Sequence, residues 1–261
     1  MSIVVGLIAL IASLSGIGGY YADNLVRDLV RSQLSGAERL EVRIEAIPNY
    51  KLVSGEIDRL RLAGRGLYLR PDLRVARLDV ETDGILVDLG STPRLRRPLQ
   101  AAVNLELTEA DLNRALNTPE ILKSLQGLKA ELPGGVGGSG QPEVLNFTDP
   151  HITLIGENQV IVQSVVRVEG KTKTLLVTFR SGLAVDRYTR LRLVNPVFTL
   201  DEVPVPPEIA DVFLSGINQV VDLEPLAKQG IDARILELEV APGQLNFVGF
   251  ARIEKIPGTI R

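Results

Sequence analysis

The chain has 261 residues, 45% hydrophobic and 23% charged, with a formal net charge of −3, no Cys, one His, one Met and no Trp. That length and apolar content suit one or two domains with a sizeable core, and with the slightly negative balance they argue against global disorder and against a polyanion binder such as a nucleic-acid protein. Without Cys there is no cysteine catalysis, thiolate zinc site or disulfide; five Tyr and six Phe offer few stacking platforms for bases or sugars.

Residues 2–22 (SIVVGLIALIASLSGIGGYYA) contain no charged side chain, and 3–17 approach the length of a signal h-region or a short spanning helix. This segment is expected to be a signal peptide or membrane anchor, with Tyr20 and Tyr21 suited to an interfacial belt; a buried core helix is the alternative. Over 23–35, Leu25, Val26, Leu29, Val30 and Leu34 fall on one helical stripe, predicting an amphipathic helix that stops at Gly36.

From Leu40 the apolar period changes to two. Leu40, Val42, Ile44 and Ala46 alternate with Glu41, Arg43 and Glu45, and similar alternation recurs at 103–107, 175–185, 236–240 and 245–253, so many antiparallel strands are expected. Within 73–80 the apolar parity shifts between Val75 and Leu78, as at a bulge in a curling sheet. Two helical segments interrupt the strands. In the first, Thr108 caps Leu112, Ala115 and Leu116, and Thr118-Pro119-Glu120 restarts a helix toward Leu128. In the second, after Pro206 and Pro207, Ile209, Val212, Phe213, Ile217, Val220 and Val221 make a wide apolar face. A Gly-rich run over 133–142 connects two halves of similar plan and lacks phosphate-loop spacing.

Several strings carry a family likeness: Gly55-x-Ile57-x-x-Leu60-x-Leu62, Gly66-Leu67, Ile85-x-Val87-Asp88, and Leu107-Thr108-Glu109-x-Asp111-Leu112-Asn113-x-x-Leu116. In these the chain resembles a bacterial family of exported proteins, the LmeA-like (lipomannan elongation protein-like) family, from about Asp23 to the carboxyl end and most closely in the first half. The resemblance implies a non-enzymatic, phospholipid-binding envelope protein with a fold similar to the tubular lipid-binding (BPI-like) proteins, in which a long helix packs inside a strongly curved sheet. It carries over no catalytic or ligand residues.

The expected fold class is therefore α+β, long helices packed against a strongly curved antiparallel β-sheet, as a single elongated domain over 23–261. The expected function is to hold or carry a phospholipid or glycolipid in an aliphatic cavity, without a cofactor or metal, at an envelope location. The alternative is a non-catalytic envelope scaffold with a filled core. Cavity candidates are Leu112, Leu116, Ile209, Val212, Phe213, Ile217 and Val220; Arg94, Arg96 and Arg97 are candidates for a lipid headgroup or membrane surface, because guanidinium groups match phosphate oxygens. Their other reading is a solvated loop. Arg59, Arg61, Arg65, Arg70, Arg74 and Arg77 widen the basic region, partly offset by Asp58, Asp72 and Asp79. The lone His151 reads as a strand-edge residue, and paired carboxylates such as Glu106 and Glu109 are what glycoside chemistry would need.

Overall fold

The computed structural model describes residues 24, 27–28, 30–88, 94–131, 141–172, 174–205 and 222–254. The chain divides into two compact units; the first takes the described residues up to Leu107 with Leu223–Glu237 and those from Asn246 on, and the second takes Thr108–Asp222 with Leu238–Leu245.

The first unit is built on β1 (Gly36–Glu45), β3 (Arg59–Arg70), β4 (Leu73–Thr82) and β7 (Leu99–Thr108); β14 (Ile231–Ala241) and β15 (Gln244–Ile253), of which 231–237 and 246–253 belong to this unit, complete a six-stranded sheet in the order β1-β3-β4-β7-β15-β14. The register stacks the alternating residues into cross-strand rows. Leu40–Gly64–Leu78–Leu105, Val42–Leu62–Val80–Val103 and Ile44–Leu60–Thr82–Ala101 share one face. Arg39–Arg65–Arg77–Glu106, Glu41–Ala63–Asp79–Asn104 and Arg43–Arg61–Glu81–Ala102 share the other. A period of two puts every side chain of one parity on one side, so a one-residue slip would bury the arginines; the register is strongly specified.

The parity shift expected within β4 has its cause on the partner strand. Val75 pairs Leu67 and Leu78 pairs Gly64 in step, but Gly66 lies at φ +55 between them. There the Leu67 side chain fills the space a Cβ on Gly64 would need, so Leu67 joins the apolar face, buried at 1% exposure. Only Gly adopts a positive φ without the clash an L side chain brings, which accounts for the Gly66-Leu67 string.

A 3₁₀ helix (Asn49–Ser54) and a small sheet of β2 (Glu56–Ile57), β5 (Ile85–Asp88) and β6 (Arg94–Leu95) close one end of this unit, with buried Leu52, Ile57, Ile85 and Val87 in the same core. Gly55 ends the 3₁₀ turn in the left-handed region and its carbonyl accepts from Val87 N at 2.8 Å.

The second unit holds α1 (Glu109–Leu116), α2 (Pro119–Ser124), β8 (Leu128–Glu131), β9 (Pro142–Gly156), β10 (Gln159–Val168), β11 (Thr174–Asp186), β12 (Arg190–Leu200) and β13 (Val203–Pro204), its sheet running β13-β12-β11-β10-β9-β8. Leu145, Phe147, Val166, Leu175, Val177, Phe179, Phe198 and Leu200 form its core, with the Phe179 and Phe198 rings 6.2 Å apart and tilted. Each of two register shifts, between Gln163 and Val165 and between Arg180 and Gly182, carries a buried serine. A bulge leaves main-chain groups without ladder partners. Ser164 Oγ donates to Thr148 O at 2.7 Å, and Ser181 Oγ accepts from Val194 N at 3.2 Å.

The described residues are mostly β, which corrects the expected α+β class of long helices packed on a sheet. Their named α-helices, α1, α2 and α3 (Glu224–Ala227), have 8, 6 and 4 residues. The physical reason lies in 108–127: the Thr118 side chain accepts from Ile121 N and Pro119 follows, so the tract is capped a second time and broken into two short helices. Gly127 at φ +70 then leads into strand. The helix expected over 208–221 lies outside the described residues, as do the apolar segment 2–22 and most of the Gly-rich run. Among the described residues no helix is long and apolar enough to cross a membrane.

Candidate lipid-contact face and its surroundings

The three apolar rows of the first unit are unevenly covered. Leu40, Leu60, Leu62 and Leu78 are buried, whereas Val42, Ile44, Val80, Val103, Leu105 and Leu107 pack against them half-exposed. This leaves a strip of partly exposed aliphatic side chains on β1, β4 and β7, running over the buried β3 leucines, with no aromatic residue or charge in it.

The opposite face is a charge lattice. Glu45 takes Arg43 and Arg61, Glu81 takes Arg59 and Arg61, and Asp79 takes Arg65 at 2.7 Å and Arg77 at 2.6 Å. The basic region seen in the sequence is thus largely neutralised across strands. Burial acts to raise the Asp79 carboxyl, but hydrogen bonds from Arg65 and Arg77 outweigh it and hold the group below its ordinary range. At the β1 edge, Asn24, Arg27, Leu40, Glu41, Val42, Arg43, Arg61 and Ala63 line a cavity of about 680 Å³, which brings three arginines and one glutamate to that edge.

Arg94, Arg96 and Arg97 sit on or just after β6. Arg96 donates to Ser54 O at 3.1 Å and pairs with Glu56 at 3.7 Å, Arg97 donates to Gly84 O at 2.8 Å, and Arg94 is exposed opposite Asp88. Two of the three therefore tie down neighbouring main chain.

In the second unit the 107–116 string forms a clamp on β9. Beyond β8, which pairs only with 142–145, the outer edge of β9 has no strand partner among the described residues. Glu109 Oε2 accepts from Leu154 N at 2.8 Å; Asn113 accepts from Ile152 N and donates to Ile152 O, both at 2.8 Å; Asn117 donates to Pro150 O at 2.9 Å. Four helical residues rise about 6 Å and two strand residues about 6.7 Å, so side chains at i, i+4 and i+8 meet alternate residues of an antiparallel strand. Gln126 continues the edge at Phe147 O. Asp111, buried, accepts from the Thr108 hydroxyl at 2.7 Å.

A family model described as LmeA-like phospholipid-binding matches residues 14–250. The chain belongs to that family. Searches of curated proteins and of solved structures returned no match. Phospholipid binding is the family's description, and it makes a lipid the class of partner for this chain.

Of the family strings, Gly55 and Gly66 supply left-handed turns, Ile57, Leu60, Leu62, Ile85 and Val87 are core, and Thr108, Glu109, Asp111 and Asn113 cap α1 or clamp β9. Leu112 packs, half-buried, on a cluster of Leu154, Val160 and Val240, and Leu116 is half-buried. Ile209, Val212, Phe213, Ile217 and Val220 lie outside the described residues. Glu109 is occupied by Leu154 N, and Glu106 lies half-buried on the lattice face opposite Arg77. His151 is exposed on β9 opposite Gln163. Among the described residues no group of three His, Asp or Glu could hold a metal ion. The half-exposed strip was not singled out in the sequence; alternation marks the apolar face of a strand but not how completely that face is covered.

Proposed function

We propose that this protein is an envelope phospholipid carrier or holder that lays acyl chains along the aliphatic strip of its first unit, with the headgroup phosphate near the β1 edge. The observation that carries this reading is the row Val42–Leu62–Val80–Val103, whose valines stay half-exposed beside a well-packed core in a member of a phospholipid-binding family. Aliphatic surface free of charge suits a methylene chain, because each methylene removed from water contributes about 0.8 kcal/mol when fully buried and needs no specific partner. Arg27, Arg43 and Arg61 line the cavity, and a phosphate there shares their donors with Asp28, Glu45 and Glu81, the carboxylates they already pair with. The mechanism is partition between bilayer and protein rather than bond making or breaking; the engagement of Glu109 with the β9 main chain supports that choice.

The test is organic extraction and mass spectrometry of the full chain, purified from a lipid-containing host in a detergent free of phosphate and acylglycerol. A stoichiometric phospholipid is expected. Lipid no higher than in a mock purification would refute the carrier reading and favour a scaffold with a filled core.

A further inference from the structure

We infer that the turn between β1 and β2 is a bilayer-docking tip that inserts Ile47, Tyr50 and Val53 into the interfacial zone of an anionic phospholipid membrane. These are the three most exposed large hydrophobic side chains among the described residues, at 77%, 73% and 61%, and they fall within seven consecutive residues. Single exposed apolar residues are ordinary on a protein surface; a cluster of three on one turn marks an interaction site. Tyr50 and Val53 lie three apart in a 3₁₀ helix, where residues i and i+3 eclipse and so share a side.

The tip is pre-ordered. Leu52 is buried in the core, Asp58 accepts from Ile47 N at 2.7 Å and from Lys51 Nζ at 2.6 Å, and Arg96 holds Ser54 O. Inserting a turn already held in place orders few new groups. The occupant is identified by three features together. A tyrosine flanked by aliphatic residues is the composition of a membrane interface. Lys51 lies in the tip, Arg96 reaches it at Ser54 O, and Arg94 and Arg97 lie on or just after β6; Asp58, Glu56 and Asp88 stand beside Lys51, Arg96 and Arg94, so attraction to anionic headgroups adds a little to insertion without replacing it. The chain also belongs to a family of phospholipid binders. The inference stands on different residues from the acyl strip and fails independently of it.

The chain contains no Trp, so Tyr50→Trp in the full-length protein creates a single indole reporter at the tip. On adding vesicles of equal parts phosphatidylcholine and phosphatidylglycerol, its emission is expected to shift to the blue and to be quenched by bromine-labelled acyl chains. Tyr188→Trp, on the exposed turn between β11 and β12, is expected to show neither change. Adding Ile47→Ser and Val53→Ser to the Tyr50→Trp chain should abolish the shift, and Arg94→Glu should raise the lipid concentration at half-shift about fivefold at low salt and little at high salt. An unchanged emission spectrum of the Tyr50→Trp chain would overturn the inference, whether or not the protein binds the vesicles through another segment. So would a shift that grows with protein concentration in the absence of lipid, which would assign the tip to a second copy of the chain. Co-purified phospholipid with a silent tip reporter would leave the strip standing and remove the tip; a responsive tip reporter with no co-purified lipid would do the reverse.

Discussion

Asn113→Ala tests whether α1 acts as a surrogate strand. The substitution removes two hydrogen bonds of 2.8 Å, one donated by Ile152 N to Asn113 Oδ1 and one donated by Asn113 Nδ2 to Ile152 O. At about 1 kcal/mol net for each bond, the loss is about 2 kcal/mol. Ile152 is half-buried, so water can reach part of the vacated edge and a full penalty for orphaned groups does not apply. Alanine is the better helix former by about 0.5 kcal/mol, which leaves a net destabilisation of about 1.5 kcal/mol. For a chain of this size that corresponds to a fall in Tm of roughly 3–6 °C. Thermal unfolding followed by circular dichroism measures the fall, and amide hydrogen exchange should show lost protection at Ile152. Asn113→Asp keeps an acceptor for Ile152 N but sets a carboxylate oxygen against Ile152 O, and should destabilise at least as much. A Tm for Asn113→Ala within about 1 °C of wild type, with Ile152 still protected, would refute the clamp.

Val103→Asp places a carboxylate at the β7 end of the row Val42–Leu62–Val80–Val103 at a half-exposed site, so it should leave a folded protein while reducing co-purified phospholipid at least tenfold. Extraction alongside the silent change Val103→Ile checks it; undiminished lipid would remove the strip from the binding site. The depressed Asp79 carboxyl contributes stability that is present above the ordinary carboxylate range, near pH 4, and is lost as pH falls through the lower folded-state value. Asp79→Asn should therefore cost about 0.5–1 kcal/mol at neutral pH, a modest figure because Arg65 and Arg77 are well exposed, and should flatten the acid limb of a Tm-against-pH curve. Gly66→Ala forces a Cβ into the left-handed region and against the Glu38 carboxylate, for an expected loss of about 1–2 kcal/mol by urea unfolding.

How much of this was legible in advance differed from element to element. The alternation from Leu40 to Ile44 was read directly, because one face of β1 is apolar and the other charged, and the register carries that contrast through β3, β4 and β7. The break at Thr118-Pro119 is also visible in the sequence, and it divides the tract into helices of 8 and 6 residues, too short to line a sheet. Glu109 and Asn113 stand in the sequence as members of a family string, and Asn117 carries no signal alone, because the strand edge they serve is some forty positions away; their i, i+4, i+8 spacing is the available signal. Ile47, Tyr50 and Val53 carry no signal in the sequence, because they follow no period of two or 3.6. The arginines looked basic in sequence, whereas their neutralisation depends on cross-strand neighbours such as Glu45 with Arg61, which only a register supplies.

The geometry of the strip also sets how affinity should depend on the ligand. Four strands at about 4.8 Å spacing give roughly 14 Å across β1, β3, β4 and β7, enough for about ten extended methylenes. An acyl chain lying on a surface buries about half of each methylene, or about 0.4 kcal/mol, close to a twofold gain in affinity per carbon. Affinity for a series of phosphatidylglycerols with increasing chain length, measured by competition below the critical micelle concentration, should therefore rise about twofold per methylene and level off once roughly ten are covered. A fourfold rise per methylene would mean an enclosing cavity instead of an open strip. No dependence on chain length would place the binding energy at the headgroup, at Arg27, Arg43 and Arg61, and would sink the acyl-chain reading.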